Sequence, residues 1–309
     1  MMAVSAYERI ELKRSDDAYP SRLLDLSDAP DTLYVLGDPA VLSLPSLSVI
    51  GSRRATPYGL AVAEMAGKLA AESGVVEVSG GARGCDAAGG AAAMNSGGRH
   101  VVVLGCGADV VYPRSSAQLI ERALDTGGAV VSLVPWGTEP RRYSFPRRNR
   151  IIAALSEALL ISEAGMPSGT FSTAETAMDL GREVLVAPGS ILSPESRGSN
   201  YLIACGACCI VDEESLEVAL SRIYGTLRYG RGSCKGPVSY SGDTGRVVHA
   251  LLGCPMRIED IQRMLRLPSL DVTMLLSGME ADGLVERLMD GRYALTKFVL
   301  HAQTPLGQN

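Results

Sequence analysis

Short apolar runs alternate along most of the chain with longer stretches in which apolar residues recur every three or four positions. Leu47–Ile50, Val75–Val78, His100–Leu104, Ala129–Ser132, Ala158–Ile161, Glu183–Val186 and Cys208–Val211 read as strands bounded by turn residues. Helices are expected from Pro57 to about Ser73, through the alanine-rich segment ending near Asn95, over Ser115–Leu124, and after the arginine-rich stretch at 141–150. Further helices follow from Ser168-Gly169-Thr170 to about Leu180 and over Glu213–Tyr224. Pro57 suits a first helical turn, where its missing N–H costs nothing. Apolar strands separated by helices imply a parallel sheet covered on both faces, with right-handed crossovers. The expected class is α/β, a doubly wound, mostly parallel, Rossmann-like sheet. A TIM barrel is the alternative. It is disfavoured because the repeats differ in length and the strand ends are glycine-rich.

The pattern divides the chain. Residues 1–44 form an N-terminal segment with little periodicity before Tyr19 and an extended Leu33–Leu36, expected to pack on the main body. The Rossmann-like domain spans 45–224. Residues 225–243 are rich in Gly, Ser and Pro and read as a linker. Within 244–300, three helices (Arg246–Leu252, Ile258–Leu265, Asp271–Ala281) precede a hairpin around Asp290-Gly291. This is the pattern of a small C-terminal winged-helix domain. Its third helix has no basic residue, which makes it a poor reader of a major groove and favours an accessory or protein-contact role.

Composition narrows the function classes. With a net charge of −5 over 309 residues, a generally basic coat is excluded, so any polyanion must meet a focused patch. No 18-residue apolar run and no basic-then-apolar leader is present, and the expectation is a cytoplasmic protein without membrane contact. The seven cysteines are irregularly spaced, and the three histidines (His100, His249, His301) lie far from Cys205, Cys208 and Cys209. Buried free thiols are expected, not a metal centre.

The local exception to the acidic balance is Arg141–Arg150, with five arginines, two aromatics (Tyr143, Phe145) and no acid. Guanidinium groups match phosphate oxygens, and rings offer bases a face. The stretch reads as a loop feeding a helix, its arginines at the loop tip and first turn. In an open parallel sheet, ligands sit beyond the carboxyl ends of the strands. Gly51-Ser52-Arg53-Arg54, Ser79–Gly84, Gly105–Gly107 and Ser168–Thr170 should meet there and offer backbone amides to phosphate. The candidate phosphate- and DNA-binding set is therefore Gly51, Ser52, Arg53, Ser79, Gly80, Arg83, Gly84, Phe145, Arg147, Arg148, Asn149, Arg150, Ser168, Gly169 and Thr170. No Walker lysine pattern and no usual dinucleotide fingerprint occurs, so neither ATP hydrolysis nor a nicotinamide cofactor is expected. Asp86 reads as a helix cap, and no serine–histidine–acid set is visible.

Taken in order, Val49-Ile50-Gly51-Ser52-Arg53, Pro57-Tyr58-Gly59, Ser79–Asp86, Val103–Gly107, Tyr112-Pro113, Phe145–Ile152 and Pro188-Gly189-Ser190 resemble the bacterial DNA-processing protein A family (DprA, also called Smf). The likeness runs from about Tyr19 to Asp212. It implies an extended Rossmann-like domain that binds and protects single-stranded DNA, acts as a homodimer, and hands the strand to the recombinase RecA during natural transformation. It also implies no metabolic enzyme activity and no cofactor. Carried over by position, Arg53, Phe145 and the arginines up to Arg150 would touch the strand, and Ser79, Gly80 and Gly84 would line a phosphate pocket. The chain departs from the family pattern at Gly81 and Cys85, where Leu and Ile are usual, and at Gly90, where His is usual. A second reading rests on Ser168-Gly169-Thr170 with Glu175. These resemble the motif of lysine-decarboxylase-like enzymes, which cleave nucleoside monophosphates.

Overall fold

The computed structural model describes residues 7–226 and 240–302, so the expected linker at 225–243 lies largely outside the described residues. Nine strands form the main sheet: β1 (Arg9–Lys13), β2 (Thr32–Gly37), β3 (Ser46–Ile50), β4 (Val76–Ser79), β5 (His100–Leu104), β6 (Ala129–Ser132), β7 (Ala158–Ile161), β8 (Glu183–Val186) and β9 (Cys208–Cys209). Their order is β1-β2-β6-β5-β4-β3-β7-β8-β9. All pairings from β6 across to β9 are parallel, and β1 and β2 join antiparallel. The chain enters at β3, winds outward to β6, then returns to β7 and winds the other way. The sheet is open, and its strand order reverses between β3 and β7.

Both faces are covered by α1 (Pro57–Glu72), α2 (Cys85–Asn95), α3 (Ala117–Asp125), α4 (Ser144–Leu155), α5 (Thr170–Asp179), α6 (Arg197–Ala204) and α7 (Glu213–Tyr224). Successive strand residues feed opposite cores. Val101 and Val103 join the cluster under α4, and Val102 and Leu104 the one under α3. This two-sided burial is why the strands read as unbroken apolar runs.

The N-terminal segment is not a separate appendage. Its β1 and β2 extend the central sheet, and Leu12, Leu23, Leu33 and Val35 belong to the same core as α4. The β1 signal is only five residues long and half charged, as befits an exposed edge. Among the described residues four arginine–carboxylate pairs fasten the segment: Arg9 to Asp109 (2.8 Å), Arg22 to Glu157, Arg182 to Asp25 (2.6 Å) and Arg150 to Asp28 (2.5 Å).

At the C-terminus, α8 (Gly242–Gly253), α9 (Ile258–Leu265) and α10 (Ser269–Ala281) precede a hairpin of β10 (Val285–Arg287) and β11 (Tyr293–Leu295), then α11 (Lys297–Ala302). These elements enclose a core of their own, including Val247, Ile261, Leu276 and Leu295. Lys297 reaches Glu64 of α1 at 2.6 Å, and Arg292 holds Glu195 at 2.5 Å. Among the described residues no helix is long and apolar enough to cross a membrane.

Candidate nucleic-acid interface

The loops that follow β3, β4 and β7 are laced together at the carboxyl edge of the sheet. Ser52 N–H donates to the Glu163 carbonyl (2.8 Å), and Cys85 N–H donates to the Ser52 carbonyl (3.2 Å). Gly84, at φ 85°, permits this approach, because a Cβ there would lie 2.2 Å from the Ser52 oxygen.

The arginine stretch differs from its expected form. Helix α4 begins at Ser144, so Phe145 to Arg150 lie in its first two turns, and only Arg141, Arg142 and Tyr143 precede it. The continuing apolar run Ile151–Leu155 is buried and anchors this helix on the sheet, which draws the preceding turn into helical form. Phe145 is placed against Gly105, where a Cβ would come within 3.1 Å of its ring. The Arg53 guanidinium lies 5.9 Å from the ring centroid and that of Arg148 lies 6.0 Å away, both within cation–π range. Arg53, Phe145 and Arg148 therefore share one rim.

Arg148 is nearly buried, at 5 % exposure, with its head group pressed on Gly80. Burial pulls its pKa down, and the neighbouring Asp86 carboxylate opposes that shift. Asp86 is itself buried. It accepts from Gly80 N–H (3.1 Å) and Ala82 N–H (3.4 Å), and burial raises its pKa against the pull of Arg148. Hence the amides of Gly80 and Ala82, expected to face a phosphate, already serve an internal carboxylate. The N-terminus of α1 is occupied in the same way. Glu163, at the end of β7, accepts from Thr56 N–H at 3.1 and 3.2 Å and from the Thr56 hydroxyl. Burial likewise raises the Glu163 pKa, opposed by those hydrogen bonds.

The other candidates are scattered around this centre. Arg83 and Arg147 are exposed, Gly51, Ser52 and Asn149 are half-buried, and Ser79 is buried with its hydroxyl accepting from Gly81 N–H at 3.3 Å. Arg150 turns away from the rim to Asp28. Ser168 and Thr170 are occupied with one another at the start of α5 (Oγ to Oγ1, 2.8 Å), and Gly169 beside them is exposed. Glu175 is exposed on α5, so the cleavage reading gains no enclosed acid–base group there. Sequence reasoning passed over Glu163 and gave Asp86 too small a role. It also missed the buried pair Glu77–His100, in which the imidazole faces the carboxylate under α2. A glutamate inside the apolar run Val75–Val78 was the available signal.

An open parallel sheet with an arginine–aromatic rim at its carboxyl edge, its inner anion positions filled by its own carboxylates, defines a Rossmann-like protein built around a surface edge and not an enclosed nucleotide site. The model of the family described as DNA recombination-mediator protein A matches residues 11–221, and the chain belongs to that family. It is 40% identical over 198 residues to Protein Smf of Escherichia coli (strain K12), covering 64% of this chain and 53% of that protein, so it spans about half the length of that relative. Two solved structures are similar as well. DNA processing protein A from Streptococcus pneumoniae has a TM-score of 0.63 and 36% identity, covering 68% of this chain and 73% of that one. The Helicobacter pylori protein, whose structure addresses its single-stranded DNA binding mode, has a TM-score of 0.64 and 29% identity, covering 71% and 99%.

Proposed function

We propose that this protein binds single-stranded DNA along the rim formed by Arg53, Phe145 and Arg148, protects the strand, and delivers it to the recombinase RecA during recombination and natural transformation. Action as a homodimer in the cytoplasm, without a cofactor and without catalysis, belongs to the same reading. The observation that carries it is the placement of two guanidinium groups at 5.9 and 6.0 Å from one aromatic ring on an otherwise acidic body. Such a constellation meets phosphate and base together, as a sequence-tolerant strand binder requires. Arg83 and Arg147, both exposed, are further cations available to the strand.

The test is fluorescence anisotropy of a labelled oligonucleotide across a salt series. Log affinity falls by roughly 0.7 per phosphate neutralised for each tenfold rise in salt. Arg53→Ala is expected to weaken binding and flatten that slope by about one such step. Salt-independent binding, or an unaltered Arg53→Ala variant, contradicts the reading. RecA delivery is checked separately, by whether the protein speeds RecA filament formation on a strand coated with single-strand-binding protein.

A further inference from the structure

The Tyr112-Pro113 pair stands beside this rim without a role in the reading above. Tyr112 lies in the loop after β5, with its ring centroid 6.0 Å from that of Phe145 and the two planes inclined by 42°. The side chain remains 44% exposed although an aromatic neighbour is within reach. Phe145 has no room to retreat, because Gly105 backs its ring and Arg53 and Arg148 flank it. The rim therefore carries two neighbouring rings beside its cations.

Their spacing bears on which strands fit. Bases stacked along one strand rise about 3.4 Å per step. Two rings whose centres stand 6.0 Å apart do not match that step. Successive bases can each lie on a ring only when they have come off one another. A duplex withholds its base faces altogether, and a strand that stacks on itself must first be opened.

Resting on the single-strand reading, we propose that Tyr112 is a second base-stacking residue, which together with Phe145 selects unstacked single strands. The arginines supply affinity common to all polyanions, and the ring pair supplies the choice among them. Weakly stacking oligo(dT) should therefore bind more tightly than strongly stacking oligo(dA), and both more tightly than duplex.

The experiment uses the full chain with labelled oligo(dT), oligo(dA) of equal length and a duplex. Tyr112→Leu is expected to weaken oligo(dT) binding about tenfold, within the range for one lost base–ring stack. The preference for oligo(dT) over oligo(dA) should shrink toward parity, while the salt slope stays that of the wild type because no phosphate contact is lost. Tyr112→Phe should match the wild type, and Tyr112→Ser replaces the leucine variant, with the same expected result, should Tyr112→Leu fail to fold. A 2-aminopurine placed in the strand should be quenched on binding by the wild type and less so by Tyr112→Leu, a signature that mere structural support would not move. Undiminished affinity and preference in Tyr112→Leu overturns the proposal, and so does a flattened salt slope, which would make the residue a phosphate contact. Failure of the wild type to bind any oligonucleotide overturns the single-strand reading and this proposal with it.

Discussion

Gly80→Ala would change no charge and yet should dismantle the centre of the site. A Cβ at Gly80 would stand 1.4 Å from Arg148 Nη1, 2.5 Å from Cζ and 2.9 Å from Nη2. Ordinary contact begins near 3.4 Å, so the guanidinium must move by about 2 Å. The loop has little freedom to give way instead, because Gly80 N–H is tied to Asp86. Displacing the head group moves the main cation acting on the buried Asp86 carboxylate, and the overpacking itself costs about 1–3 kcal/mol. For a domain of this size the expected loss in melting temperature is roughly 2–12 °C. The pH dependence has a definite sign. Burial holds the Asp86 pKa above its unfolded value, and Arg148 is the main opposing influence. Losing that influence raises the folded-state pKa further, so the ionised carboxylate opposes folding more strongly. The gap between wild type and variant should be widest at neutral pH and close as pH falls through the folded-state pKa. Calorimetric melts across a pH series and anisotropy with oligo(dT) measure both effects. A variant that melts with the wild type and binds equally well would refute the view that Arg148, Gly80 and Asp86 act as one unit.

Arg150→Ala removes an ion pair whose side chains are 38% and 57% exposed, so its stability cost should stay under about 1 kcal/mol by urea titration. Because Arg150 faces Asp28, its loss should weaken strand binding less than Arg53→Ala does in the same anisotropy assay. Gly90→Ala would set a Cβ 2.7 Å from His100 Nε2 inside a closed core, and overpacking of about 1–3 kcal/mol should appear as a lower denaturation midpoint.

The doubly wound sheet was legible because burial on both faces writes each central strand as an uninterrupted apolar run, and Leu47–Ile50 and Ala158–Ile161 carry that mark plainly. The edge strand Arg9–Lys13 lacked it, since one charged side faces solvent. In the site, the arginine–aromatic composition of Arg141–Arg150 pointed to the rim, but composition does not distinguish directions around a helix. Arg148 and Arg150 are two residues apart on α4, so they leave it on different sides. One goes to Phe145 and Asp86, the other to Asp28. The departure at Gly90 also acquires a physical account. The imidazole of His100 enters from β5 and occupies the space over Gly90, so this helix position has no room for a side chain. The two positions are joined only through the packing of α2 on the sheet, which spacing along the chain does not display.

Asp86 and Glu163 together weigh against an enclosed phosphate pocket on this sheet and agree with the surface track proposed for it. In dinucleotide-binding relatives of the fold, the glycine turn after the first strand and the helix N-terminus beyond it receive the pyrophosphate. Here Glu163 takes the Thr56 amide at the start of α1, and Asp86 takes the amides of Gly80 and Ala82 at the next turn. A bound phosphate would have to displace a buried carboxylate of the same sign. Exposed positive charge therefore lies outside that layer, where Arg53 stands over Phe145, while Arg148 beside the same ring is buried. On the proposed function, charge in that position suits a ligand that lies across the sheet edge, and a flexible polyanion with exposed bases would engage both Arg53 and Phe145 where a compact mononucleotide would engage only part of them.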